Sequence, residues 1–305
     1  PLSAELAGRV VAAHGRHCLV EGDDGQRTLC HPRGKKNAVV VGDRVRWSLS
    51  GDEGVIERVE ERRNLLYRQD ELRTKSFAAN LDQVLVLLAA EPVFSDMQLA
   101  RALIAAEAAG IAALIVLNKH DLGAPFEAAW ARLAPHRHMG LAVLPLGLKT
   151  DHGLDDLRQR LEGKATLVLG PSGAGKSTLV NRLVPEAGAQ TGEISTALNS
   201  GRHTTTTTTW YWMDASHRSA LIDSPGFQAF GLHHVEPTEL AMLMPDVRAT
   251  LGNCRFYNCT HRHEPGCGVR PHVGSDPASD PLAIDATRYT LYQALFDELA
   301  AKPAY

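Results

Sequence analysis

Thr166-Leu167-Val168-Leu169-Gly170-Pro171-Ser172-Gly173-Ala174-Gly175-Lys176-Ser177-Thr178 reads as a short buried strand that turns through a glycine-rich loop into a helix beginning near Ser177. In that context G-x-x-x-x-G-K-S is a phosphate-binding loop rather than a bland turn. Its glycines let backbone N–H groups turn inward around a β-phosphate, where the helix start adds partial positive charge. Lys176 is expected to bridge β- and γ-phosphates, and the Ser177 hydroxyl to ligate Mg²⁺. The loop alone leaves the nucleotide open, because kinases and ATPases use the same string.

Asn118-Lys119-His120-Asp121 narrows the choice of base. It ends the apolar run 111–117, which places it at the carboxyl end of a strand, where parallel α/β sheets bind ligands. A carboxylate at Asp121 can accept from guanine N1–H and the N2 amino group together, whereas adenine would leave it unpaired. Sites built on such bonds reject the wrong partner by roughly 10⁴–10⁵. Asp223-Ser224-Pro225-Gly226 follows the run 220–222; Asp223 is expected to hold Mg²⁺ through water, and the Gly226 N–H to meet the γ-phosphate. Gly201-Arg202-His203 precedes six threonines, Thr204 to Thr209. The latter half of that run, leading into Trp210-Tyr211-Trp212, reads as a strand. Its first members fall where a switch threonine serves Mg²⁺, with Thr205 favoured and Thr204 close behind. These are the parts of a GTPase, but the base-reading tetrad precedes the phosphate loop, which is a circular permutation of the ordinary order.

Two positions depart from the common pattern. The strand 141–146 is followed by Gly147-Leu148-Lys149 where a Ser-Ala pair is usual, so guanine O6 is expected to take the Leu148 backbone N–H. Phe227 stands where many GTPases carry a water-orienting glutamine, and a phenyl ring cannot do that work. His203, a titratable group in a switch segment, is the nearest substitute; a solvent-facing loop histidine is the competing reading.

The chain has 305 residues, enough for two or three domains, and a net charge of −3, which argues against a wholly basic nucleic-acid coat protein. No stretch approaches a membrane span, and no signal peptide is read. Five cysteines without secretory context point to a reducing cytoplasm. Cys254, Cys259, His261 and Cys267 fall at C-x4-C-x-H-x5-C, with His263 a rival for His261. Thiolates plus imidazole suit tetrahedral Zn²⁺, and four protein ligands leave no open position, so one structural ion per chain is expected. Cys18 and Cys30 are left as small buried strand residues.

Residues 1–68 are expected to form an all-β OB-type barrel of five short strands. The segment Arg33-Gly34-Lys35-Lys36, with Arg44, Arg46 and Trp47, suits an RNA surface or a solvated charged loop. Residues 69–231 alternate strand and helix, as in a parallel sheet covered on both faces. Residues 232–305 form a helical zinc-binding unit, whose last helix near 283–300 presents Leu291, Tyr292, Leu295, Phe296 and Leu299 on one face, as core rather than partner site.

Permuted order, barrel and cysteine loop together resemble the ribosome small subunit-dependent GTPase A family (RsgA, also called YjeQ), over nearly the whole chain. The most specific pieces are Gly201 to Thr206, Asp223 to Phe227, and Cys254, Cys259, Thr260-His261 and Glu264 to Cys267. The resemblance implies a cytoplasmic GTPase that binds GTP and GDP and acts late in 30S subunit maturation. It further implies rRNA contacts through barrel and zinc unit, and hydrolysis stimulated by the small subunit; a monomer is expected. It also implies that His203 replaces the missing glutamine. The rival readings are a permuted GTPase serving another partner and a nucleotide kinase, which would leave the tetrad unexplained.

Overall fold

Five strands, β1 (Leu6–His14), β2 (His17–Gly22), β3 (Arg27–Pro32), β4 (Arg44–Ser50) and β5 (Glu53–Val59), close the N-terminal part into the expected barrel. The computed structural model describes residues 5–34, 38–185, 187–198, 207–228 and 230–301. Around the barrel the order is β1-β2-β3-β5-β4, and β4 returns to pair with β1; only the β3–β5 pair is parallel. Closure removes the sheet edges. Alternate side chains Val10, Val20, Val45 and Ile56 fill the interior. Asp43, fully buried, is held by Arg62 at 2.7 and 2.9 Å and by the Val40 N–H at 2.8 Å.

One residue of the expected RNA surface, Trp47, is not available to it. Trp47 is 5% exposed and points inward, packed where Gly8 and Gly54 lack side chains; a Cβ on Gly54 would lie 2.9 Å from its ring. Arg33, Arg44 and Arg46 are on the surface but pair with Glu57, Asp23 and Glu60. Lys35 and Lys36 lie outside the described residues. Cys18 and Cys30 are buried, as expected, and sit directly opposite one another on β2 and β3.

A hairpin that the sequence reading did not anticipate follows: β6 (Leu65–Gln69) and β7 (Thr74–Ala79). Its polar outer positions, Arg68, Gln69 and Lys75, hide the strand pattern. The α/β part then begins with β8 (Gln83–Ala89), α1 (Asp96–Ala108), β9 (Ala112–Asn118), α2 (Ala124–Arg132), α3 (Ala134–His138) and β10 (Ala142–Pro145). It continues through α4 (Leu154–Leu161), β11 (Ala165–Leu169), α5 (Lys176–Leu183), α6 (Ala187–Ala197), β12 (Thr209–Trp212) and β13 (Ala220–Asp223). Strand order is β10-β9-β8-β11-β13-β12, parallel except for β12. β8 and β11 are buried at every position, as strands covered on both faces should be. β12 also meets the barrel, through Ala12 opposite Thr209.

Beyond Gly231 the chain is helical: short 3₁₀ turns, α7 (Pro245–Arg248) and α8 (Ala286–Ala300). Tyr292, Leu295 and Leu299 of α8 are buried and Leu291 and Phe296 half-buried, so this face is core. A nearly buried Arg288–Asp246 ion pair, at 2.8 and 2.9 Å, ties α8 to α7. Among the described residues no helix is long and apolar enough to cross a membrane.

Candidate nucleotide cleft and metal cluster

The permuted motifs meet in space. β9 and β11 flank β8 in parallel, so their carboxyl ends open on the same rim of the sheet. A cleft of about 520 Å³ there is lined by Asn118, Lys119, Asp121, Leu148 and Lys149 on one side. Gly170, Pro171, Ser172, Gly173, Gly175, Lys176, Ser177 and Thr178 line the other. Ala174 is buried beneath the loop. Its volume lies within the range of small-molecule sites.

Local backbone chemistry shapes the phosphate side. Gly175 has φ +103° and caps α5; a Cβ there would stand 2.5 Å from Asn118 Nδ2, so only glycine fits. A Cβ at Gly170 would stand 2.5 Å from the Leu87 carbonyl oxygen. Ser177 and Thr178 are exposed toward the cleft. The Lys176 ammonium pairs with the Asp223 carboxylate and donates to the Ser224 carbonyl at 3.2 Å. β11 and β13 are direct neighbours, with Val168 opposite Asp223, which is why these two groups reach one another.

On the base side Asn118 acts as a staple. It is 4% exposed; its Nδ2 donates to the Ala174 carbonyl at 2.9 Å and its Oδ1 accepts from the Leu148 N–H at 3.3 Å. The Leu148 N–H, expected to face guanine O6, is thus engaged by Asn118 in this structure. Lys119 adopts φ +68° and its ammonium donates to the Glu91 carbonyl. His120 turns away from the cleft to stack on His152, with ring centroids 3.7 Å apart, and meets Phe126 edge-on. Asp121 remains exposed on the cleft wall. Lys149, which carries no motif of its own, also lines the cleft, directly after Leu148 in the chain.

Phe227 is 4% exposed, so its ring belongs to the core and not to the cleft. Thr208 Oγ1 lies 2.7 Å from Ser224 Oγ, which brings the end of the threonine run to the Asp223 segment. His203, Thr204 and Thr205 lie outside the described residues.

The cysteine loop gathers as expected. Ligand atoms of Cys254, Cys259, His261 and Cys267 lie within 4.8 Å of one another. His261 Nδ1 is 3.5 Å from Cys254 Sγ and 3.7 Å from Cys267 Sγ. The edges of a tetrahedron with Zn–S near 2.3 Å and Zn–N near 2.05 Å would measure about 3.6 Å, so the donor set fits that ion. His263 is exposed and stands outside the cluster. Backbone N–H groups of Gly268 and Val269 point at Cys254 and Cys267 sulfurs, at 3.2 and 3.4 Å. The loop is braced by Glu264, which accepts from the Thr260 N–H at 2.8 Å, and by α8. Tyr289 and Tyr292 hydroxyls donate to the His261 and Thr260 carbonyls, both at 2.8 Å.

The sequence pattern of the RsgA GTPase family matches residues 59–233, more than half of the chain. The chain belongs to the RsgA GTPase family. A relative in Variovorax paradoxus strain S110, described as small ribosomal subunit biogenesis GTPase RsgA, is 64% identical over 295 residues, covering 96% of this chain and 92% of that protein. A second, of the same description, in Paraburkholderia xenovorans strain LB400, is 52% identical over 305 residues, covering 98% and 95%. Among solved structures, YjeQ from Thermotoga maritima superposes with a TM-score of 0.75 at 28% identity, covering 98% of this chain and 100% of that one. YloQ, described as a circularly permuted GTPase, gives 0.71 at 25% identity, covering 99% and 98%. Family membership accounts for the inverted motif order.

Proposed function

We propose that this chain hydrolyses GTP to GDP and phosphate while bound to the small ribosomal subunit, late in that particle's maturation. One observation carries the reading: segments 118–121 and 170–178, inverted in sequence, form the two walls of one cleft. The family and the descriptions of its 64% and 52% identical members supply the ribosomal partner.

In this reading Asn118, Lys119 and Asp121 frame guanine, with the Leu148 loop closing over O6. The backbone from Gly170 to Thr178 cradles the phosphates. Lys176 leaves Asp223 when a nucleotide arrives, because the phosphates are the stronger anion, and the freed Asp223 joins Ser177 and Thr205 or Thr204 around Mg²⁺. When bound, Mg²⁺ neutralises charge developing between β- and γ-phosphates. Gly226 N–H faces the γ-phosphate. Water attacks the γ-phosphorus, the bond to the bridging oxygen breaks, and His203 orients that water in place of the buried Phe227. The cluster of Cys254, Cys259, His261 and Cys267 holds one structural Zn²⁺, which stiffens a loop otherwise tied down mainly by Glu264 and α8.

We divide the chain into a barrel (1–68), a permuted GTPase domain (69–231) and a zinc-binding helical domain (232–305), with rRNA contacts on the first and last and a cytoplasmic monomer as the working form. Because the segment after Asp223 runs directly into the zinc-binding part, loss of the γ-phosphate is positioned to move that part against the barrel.

The test is GTP and ATP turnover by the purified protein, alone and with 30S, 50S or 70S particles. Slow intrinsic GTP hydrolysis that rises sharply with 30S particles supports the reading. Equal use of ATP, or no stimulation by any particle, counts against it.

A further inference from the structure

The β6–β7 hairpin grips the segment after Asp223 at both ends. At the far end the Gln69 N–H donates to the Gly231 carbonyl at 3.1 Å and the His233 N–H to the Gln69 carbonyl at 2.9 Å. Between them Phe77 of β7 stacks on Phe230, with centroids 5.2 Å apart and rings 6° from parallel. At the near end the Lys75 ammonium donates to the Pro225 carbonyl at 2.8 Å. A Cβ on Gly226 would stand 2.9 Å from that ammonium.

The Pro225 carbonyl and the Gly226 N–H belong to one peptide unit, and a trans peptide points its C=O and N–H in opposite directions. Fixing the carbonyl therefore fixes the N–H. Gly226 has φ +110°, in the region that favours glycine, so the neighbouring peptide has freedom that an outside group must restrain. Among the described residues the Gly226 N–H has no protein acceptor.

The charge of Lys75 is also unusual for its place. Half-buried, it has no carboxylate partner among the described residues. Burial, then the nearby Arg68 and Lys176 charges, lower its pKa. A cation set among cations gains when an anion enters between them. Of these cations Lys176 lines the cleft proposed to take a nucleotide's phosphates.

We propose that Lys75 is a positioning residue for the third phosphate: by holding the Pro225 carbonyl it aims the Gly226 N–H at the γ-phosphate, and so lets the hairpin distinguish GTP from GDP. This rests on the GTPase reading above. A bond from a charged donor also polarises the peptide and strengthens its N–H as a donor.

The experiment measures, by calorimetry with Mg²⁺ present, the affinities of GDP and of a β,γ-imido GTP analogue for the unaltered chain, Lys75→Met and Lys75→Arg. GDP binding is expected to stay within about twofold in Lys75→Met while the analogue weakens about tenfold, the loss of one charge-assisted bond. Lys75→Arg, whose guanidinium can still donate to the carbonyl, is expected to recover most of the difference. Lys75→Leu, which likewise has no donor, makes the same comparison should the methionine variant fail to fold. Equal losses for both nucleotides, or an unchanged ratio in folded variants, overturn the proposal alone. Failure of the unaltered chain to bind either guanine nucleotide overturns the GTPase reading and this proposal with it.

Discussion

Replacing Asn118 by alanine removes a side chain that joins the base side of the cleft to its phosphate side. Two bonds disappear, from Nδ2 to the Ala174 carbonyl at 2.9 Å and from the Leu148 N–H to Oδ1 at 3.3 Å. A buried polar group left without its partner costs about 1–3 kcal/mol. The cleft is open, so water reaches part of the vacated space and the lower end applies to each, for a total near 2 kcal/mol. Because both orphaned groups belong to loops that must be held in place for a nucleotide, that energy falls mainly on binding. It corresponds to about a thirtyfold rise in the dissociation constant for GDP. Titration calorimetry of GDP against Asn118→Ala and the unaltered chain reads this directly, with urea unfolding as the control for global stability. GDP binding by a folded Asn118→Ala variant at the unaltered affinity would refute the staple argument.

Other substitutions probe separate links. Gly175→Ala sets a Cβ 2.5 Å from Asn118 Nδ2 at φ +103°, so GDP affinity is expected to fall at least about tenfold while circular dichroism stays native; wild-type affinity would contradict it. On the proposed zinc reading, atomic absorption is expected to find one equivalent of zinc in the unaltered chain and none in Cys267→Ser, with a lower melting temperature, whereas Cys18→Ser, buried in the barrel, is expected to keep the metal. Burial, then the Arg288 charge, pushes the His136 imidazole down to about 4, with Asp246 and Asp285 opposing and Arg137 reinforcing, and its buried Nδ1 has no hydrogen-bond partner among the described residues. Between the unfolded value of about 6.5 and that folded value, the unfolded chain binds a proton that the folded chain refuses, so stability falls as pH drops through that window, by about 3 kcal/mol in all. Above pH 6.5 the group contributes no pH dependence. His136→Phe is expected to show a shallower fall in urea midpoint between pH 7 and 4.5; equal acid sensitivity in both proteins would rule this out.

The sequence by itself determined the pieces whose geometry is local. Gly173 and Gly175 encode the positive-φ turns of the phosphate loop, the apolar run 111–117 encodes a buried strand ending at Asn118, and the spacing from Cys254 to Cys267 lets one short loop gather its sulfurs. Each depends on neighbours a few residues away, so each is written in composition and spacing. Tertiary structure decided what depends on distant partners. It turned Trp47 into the barrel, because Gly8 and Gly54 on other strands leave room there. It chose His261 over His263, because α8 fixes the His261 carbonyl through Tyr289. It drew the Leu148 N–H onto Asn118 and set Lys75 against Pro225, 150 residues on in the chain. The order of β8, β9, β11 and β13 brought the inverted motifs to one rim. Strand order and cross-strand register are set by burying whole faces together, and no window of sequence contains both halves of such a contact.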